Sequence, residues 1–113
     1  TRVDAAVGLV DLMDEAVAAL PACCRRADDT RAPVLVLYGG QDQLVPARAV
    51  RAALRRVPAE AGLRLGIHAQ GFHLLLAGTT RAEVVRDLLA FVAAPDAPLP
   101  SGADLAAAEW MAR

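Results

Sequence analysis

Two residues of this 113-residue chain have the types and the setting for acid–base chemistry: Asp42 and His73. Asp42 follows the apolar run Val34-Leu35-Val36-Leu37-Tyr38 and the pair Gly39-Gly40. His73 follows Gly71, beyond a second apolar stretch that ends at His68. A carboxylate that accepts a hydrogen bond from one histidine ring nitrogen fixes the tautomer and orientation of the ring. The other nitrogen is then left to take a proton from a nucleophile. Taken singly, each residue also has a plain structural reading. Asp42 ahead of Pro46 can cap a helix or shape a turn, and His73 can be a satisfied loop histidine. The partner such chemistry needs is missing from the sequence. The one serine is Ser101, in a proline-rich stretch, and no G-x-S-x-G turn occurs.

The elements that must position the pair can be read from periodicity and punctuation. Val34 to Tyr38 is a short continuous apolar run between Pro33 and two glycines, which predicts a strand buried on both faces, as in a parallel sheet. Leu63, Leu65 and Ile67 alternate with Arg64, Gly66 and His68, which predicts a strand with one wetter face. His68 itself reads as structural or solvated. Gly39-Gly40 and Gly71 allow sharp turns after the two strands. In a parallel sheet, loops at the carboxyl ends of neighbouring strands open on the same edge, so Asp42 and His73 are expected together.

Helices are expected around this pair of strands. Thr1 to about Leu20 carries Val3, Val7, Val10, Val17 and Leu20 near helical spacing, starts with a Thr1/Asp4 capping box, and meets Pro21, which ends or kinks it. Leu9, Leu12 and Met13 on this helix read as core or as the lining of an acyl pocket. A polar connection with Arg25, Arg26, Asp28 and Asp29 comes next. Pro46 to Val57 reads as a helix with Pro46 in its first turn, Val50, Leu54 and Val57 inward, and Arg48, Arg51 and Arg55 on a solvated face. Thr80 to about Val92 is the clearest helix, with a Thr80/Glu83 capping box and Val84, Val85, Leu88, Leu89 and Val92 buried. Pro95, Pro98 and Pro100 mark a linker, after which Ser101 caps a short helix anchored by Trp110. Strand, helix, strand with short connections predicts a right-handed parallel unit in an α/β fold. Two strands alone make no stable open sheet.

Composition bounds the partners. The chain is 56% hydrophobic and carries a net charge of −1, so it is expected to fold and has no global field for nucleic acid or an anionic membrane. All its basic residues are arginine, which reads as coding bias. No apolar run approaches the length of a membrane span, and no leader is visible. Cys23 and Cys24 are adjacent and lack metal or redox spacing, which fits a reducing, cytoplasmic setting. No cofactor and no metal is expected. Gly39-Gly40 does not continue as G-x-G-x-x-G, which argues against a dinucleotide loop.

The run from Val34 to Pro46 resembles the acid-bearing segment of α/β-hydrolases. Gly71-Phe72-His73-Leu74-Leu75-Leu76, with the helix after Thr80, resembles their histidine loop and last helix. Within that superfamily the nearest likeness is to the monoacylglycerol lipase and lysophospholipase group, also described as serine-aminopeptidase-like hydrolases. The opening segment resembles bacterial members, and the likeness spans roughly Thr1 to Ala94. It implies that Asp42 is the acid and His73 the base of a Ser-His-Asp triad, in the family order of nucleophile, acid, histidine. It implies a small-molecule ester or lipid substrate. On this reading residues 1–94 are the C-terminal part of an α/β-hydrolase domain: two parallel strands with flanking helices, the nucleophile half of the sheet absent. Residues 95–113 are a Pro-rich linker and a short C-terminal helix. The partner expected is the missing N-terminal part of the same fold, and the chain alone is expected to be inactive. The alternative is a non-catalytic relic or interaction module that keeps the hydrolase scaffold.

Overall fold

The structure, a computed structural model, describes residues 1–24 and 32–113, without the side chain of Glu60. The polar connection read at Arg25, Arg26, Asp28 and Asp29 lies outside the described residues. Among the described residues the α-helices and strands are α1 (Arg2–Cys23), β1 (Val34–Gly39), α2 (Ala47–Arg55), β2 (Leu63–His68), α3 (Arg81–Ala93) and α4 (Ala103–Met111), with short 3-10 turns at Ala59–Ala61 and Leu75–Ala77. Strands β1 and β2 pair in parallel, from Val34 opposite Leu63 to Gly39 opposite His68. They form a two-stranded sheet among the described residues, so the architecture is α/β.

α1 starts as its sequence predicts. The Asp4 amide donates to Thr1 Oγ1 at 3.1 Å, and the Asp4 carboxylate accepts from the Thr1 amino group. The Thr1 hydroxyl and the Thr1 amino group hold the Asp4 carboxyl below its usual range. Pro21, however, does not end the helix, which runs on to Cys23. A proline so close to the end forfeits one intrahelical bond without forcing a break further along. No residue of α1 is buried, and Leu9, Leu12 and Met13 are all more than half exposed. Among the described residues they are therefore not core. Cys24 is buried, with its thiol donating to the Leu20 carbonyl at 3.2 Å, Cys23 is exposed, and neither forms a disulfide.

The core sits between the sheet, α2 and α4. Tyr38, Leu54, Ile67, Ala107 and Trp110 form it, with Val36, Val50 and Leu65 packed against it. β1 is not buried on both faces: Val34 to Leu37 are half-buried, and only Tyr38 and Gly39 are fully covered. The reason is that β1 has a neighbour on one side only among the described residues.

The face of β2 expected to be wet is covered instead. Gly66 and His68 are buried, and Leu99 and Ala103 lie where a side chain at Gly66 would be, 3.2 and 3.3 Å from its would-be Cβ. Arg64 completes that face by donating to the carbonyls of Pro95 and Ala97 and pairing with Asp104 at 3.0 Å. The stretch after α3 is thus held down along β2 before it enters α4.

α2 also departs from a solvated arginine face. Arg51 Nε donates to the Trp110 carbonyl at 3.0 Å, with its guanidinium carbon 4.3 Å from the Trp110 ring centroid. Arg55 donates to the carbonyls of Met111 and Arg113. Free carbonyls at a helix C-terminus attract cations, so both arginines latch the end of α4. Arg48 and Arg55 nonetheless stay exposed, and only Arg51 of the three is half-buried.

In α3 the Thr80/Glu83 capping box does not form. Thr80 has φ −86° and ψ 2°, away from the extended backbone that lets a capping side chain reach inward, and its carbonyl accepts from Val84. The buried face of α3 carries Val84 and Asp87, while Leu89 and Val92 are more than half exposed. The sheet is too narrow to cover the whole apolar stripe of the helix.

Candidate active site

The site begins where β1 and β2 end. Tyr38, the last bulky residue of β1, turns its hydroxyl past the strand and donates to the Val45 carbonyl at 2.6 Å. Burial, with the Asp42 charge behind it and Arg51 opposing, raises the pKa of the phenol, so it stays a neutral donor. This bond pins the loop that carries Asp42. Within that loop Asp42 Oδ1 accepts from the amides of Leu44 and Val45 at 2.8 and 2.9 Å, closing an Asx-type turn that leads into α2. Pro46 then serves as the N-cap of α2, and its carbonyl accepts from Ala49 and Val50.

The two loops are joined by backbone. The Gly40 and Gly71 amides both donate to the His68 carbonyl, at 2.8 and 2.9 Å. The Gln41 amide donates to the Gly71 carbonyl at 2.8 Å, and the Gln41 side chain reaches the Ala69 carbonyl. This contact needs glycine at position 39. A Cβ there would stand 2.5 Å from the carbonyl oxygens of both Gly71 and Phe72. Both obstacles are backbone, so neither can swing aside. Gly39→Ala is expected to cost about 1–3 kcal/mol, as overpacked sites do. Urea unfolding checks this, and a loss under half a kcal/mol would mean that the histidine loop yields freely.

The outcome is a direct pair. His73 Nδ1 lies 2.9 Å from Asp42 Oδ2. An ionised carboxylate only accepts, so Nδ1 carries the proton and Nε2 holds the free lone pair. The Asp42 side chain is 5% exposed and the His73 side chain 41%. The acid is therefore buried behind a ring that remains reachable. The Val45 amide chiefly, then the His73 ring and the Leu44 amide, hold the Asp42 carboxyl below its usual range, against burial that works the other way. A carboxyl whose pKa is lowered on folding contributes stability above its unfolded value. That contribution is lost as pH falls through the folded value. The turn at Asp42 and the His73 Nδ1–H signal are accordingly expected to survive down through about pH 4, the ordinary aspartate range, and to fade only below it. Imidazole NMR across an acid titration checks this, and loss of the signal above that range would contradict it.

Sequence reasoning brought Asp42 and His73 to one edge, and the structure has them in contact. It missed Tyr38, whose hydroxyl sets the aspartate loop. The signal available was a lone tyrosine closing an otherwise aliphatic strand. Ser101 is held elsewhere: its hydroxyl donates to Asp87 and accepts from the Ala103 amide. Beside His73 opens an apolar cavity of about 470 Å³, lined by Leu37, Leu74, Leu75, Leu76, Val84 and Leu88. Among the described residues, no cluster of three or more metal-ligating side chains occurs, and no helix is long and apolar enough to cross a membrane.

Residues 3–80 match the family model described as serine aminopeptidase, S33. No curated protein and no solved structure matches the chain.

Proposed function

This chain belongs to the serine aminopeptidase S33 family of the α/β-hydrolase superfamily, and we propose that within it the chain supplies the acid and the histidine of a Ser-His-Asp triad. Asp42 orients His73 and stabilises the imidazolium. His73 takes the proton of a nucleophilic hydroxyl at Nε2 and returns it to the leaving group. The nucleophile and the oxyanion donors come from residues outside these 113, on a segment that completes the N-terminal side of the same fold. The substrates are carboxylic esters of the monoacylglycerol or lysophospholipid type. The observation that carries this reading is the 2.9 Å contact between His73 Nδ1 and the buried Asp42 carboxylate. The apolar cavity beside His73 supports an ester with a hydrocarbon chain. The half-covered β1 supports a further segment alongside it.

A fluorophosphonate probe, which labels a serine activated by a histidine, provides the test. The chain alone is expected to stay unlabelled, because Ser101 is engaged with Asp87. Assembled with a segment bearing the nucleophile, it is expected to support labelling of that segment and turnover of p-nitrophenyl esters. Labelling of Ser101, or assembly without either activity, would overturn the proposal.

A second reading is an interaction module that keeps the scaffold without the reaction. It is favoured by the exposed apolar residues of α1 and α3, among them Val3, Val7, Leu89 and Val92. A native partner that binds this chain and carries no nucleophile turn would select it.

A further inference from the structure

A second histidine–aspartate contact lies beneath the site and outside the proposed chemistry. His68, the last residue of β2, has a side chain only 1% exposed. Its Nε2 lies 3.2 Å from Oδ2 of Asp87, a carboxylate with no exposure at all, though the two are not aligned as a hydrogen bond. Its Nδ1 lies 3.7 Å from the half-exposed carboxylate of Glu83. Asp87 in turn accepts from the Ser101 amide at 3.0 Å and from the Ser101 hydroxyl, just ahead of α4. One buried carboxylate thus ties together β2, α3 and the turn that leads into α4.

The same residue joins the two loops of the site by its backbone. The His68 carbonyl is the shared acceptor of the Gly40 and Gly71 amides. Gly40 leads to Asp42 and Gly71 to His73. That one carbonyl is therefore common to both loops, and the ring of the residue that owns it lies buried against Asp87. A buried polar group left without a partner is costly, so loss of one partner bears on the others.

We propose that His68 and Asp87 are positioning residues for the Asp42–His73 pair, and that through Ser101 they make its geometry depend on the docked segment at residues 95–113. That segment lies beyond residues 3–80, which the family model matches. The inference rests on the reading of Asp42 and His73 as the working pair. It does not depend on which nucleophile completes the site.

The test is NMR on the intact chain. Ser101→Ala removes two bonds of the network and is mild enough to fold. Asp87→Asn is the stronger variant. Arg55→Gln is the control, because it frees the carbonyls of Met111 and Arg113 without touching the network. Relative to that control, Ser101→Ala is expected to speed amide exchange at Gly40 and Gly71 about tenfold, the scale of one buried hydrogen bond. It is also expected to shift the His73 Nδ1–H signal toward that of an unpaired ring, with a larger shift in Asp87→Asn. Faster exchange confined to Gly102 and Ala103, with Gly40, Gly71 and His73 unchanged, would overturn the proposal. If Asp87→Asn does not fold, Ser101→Ala decides by itself. A His73 signal already unpaired in the unsubstituted chain would instead count against the working pair, which keeps the two failures apart.

Discussion

If Asp42 and His73 work as proposed, replacing His73 with alanine is expected to abolish ester turnover once the nucleophile segment is supplied, with a loss on the order of 10⁴-fold or more. The size comes from the role. Without an acceptor at the position of Nε2, the nucleophile keeps its proton, and the leaving group departs unprotonated. The ring is 41% exposed and bonds only to Asp42 among the described residues. Its removal takes one partner from Asp42 Oδ2 but opens that oxygen to water, while Oδ1 keeps the Leu44 and Val45 amides, and the thermal transition is expected to hold. Asp42→Asn is the sharper companion. It keeps the size of the side chain, and its amide oxygen can still accept from Leu44 or Val45. Its amide nitrogen would face Nδ1 as a donor and drive the ring to the wrong tautomer. A similar loss in turnover with little change in KM is expected. Turnover within tenfold of the unsubstituted protein in either variant would remove both residues from the reaction.

Trp110→Ala is expected to cost about 3–5 kcal/mol of stability, the range for a large aromatic removed from a core. Trp110 is 5% exposed and stands 5.4 Å from the Tyr38 ring, tilted by 47°. The Arg51 guanidinium also lies over its ring. The substitution thus removes an aromatic pair, a cation–π contact and a plug of the core together. The effect should also reach the site, because Tyr38 holds the aspartate loop through the Val45 carbonyl. Urea unfolding measures the loss, and Trp110→Phe should recover a good part of it. A cost below about 1 kcal/mol would show that α4 rests on the sheet without supporting it.

Much of the site was legible in sequence because it depends on local rules. An aliphatic run closed by glycines makes a strand, and in a parallel unit the residues just past each strand emerge at one edge. Asp42 and His73 needed no further information to be brought near each other. Local capping was legible only in part. Thr1 and Asp4 form their box, but Thr80 and Glu83 do not, since the turn before α3 settles into another backbone conformation. The arginines of α2 keep two of three exposed, but their partners were not legible, for a different reason. Arg51 and Arg55 sit at positions that face water in an isolated helix, and the carbonyls they bind come from nearly sixty residues further along. The apolar stripe of α3 was likewise read as core. Among the described residues the sheet has two strands, and part of that stripe remains exposed.

By itself, the sequence of this chain determined which residues are the candidates for acid and base, the strand ends that deliver them, and the lack of a nucleophile turn between Thr1 and Arg113. These are matters of residue type and short spacing, and short spacing is governed by local backbone geometry. Only the tertiary structure decided that Nδ1 of His73 meets a buried carboxylate, and that Gly39 must lack a side chain for the loops to close. Only the tertiary structure decided that Ser101 belongs to Asp87 and that the segment after α3 braces β2. Each of these contacts joins residues far apart in the chain, and no local preference encodes a distance across the fold.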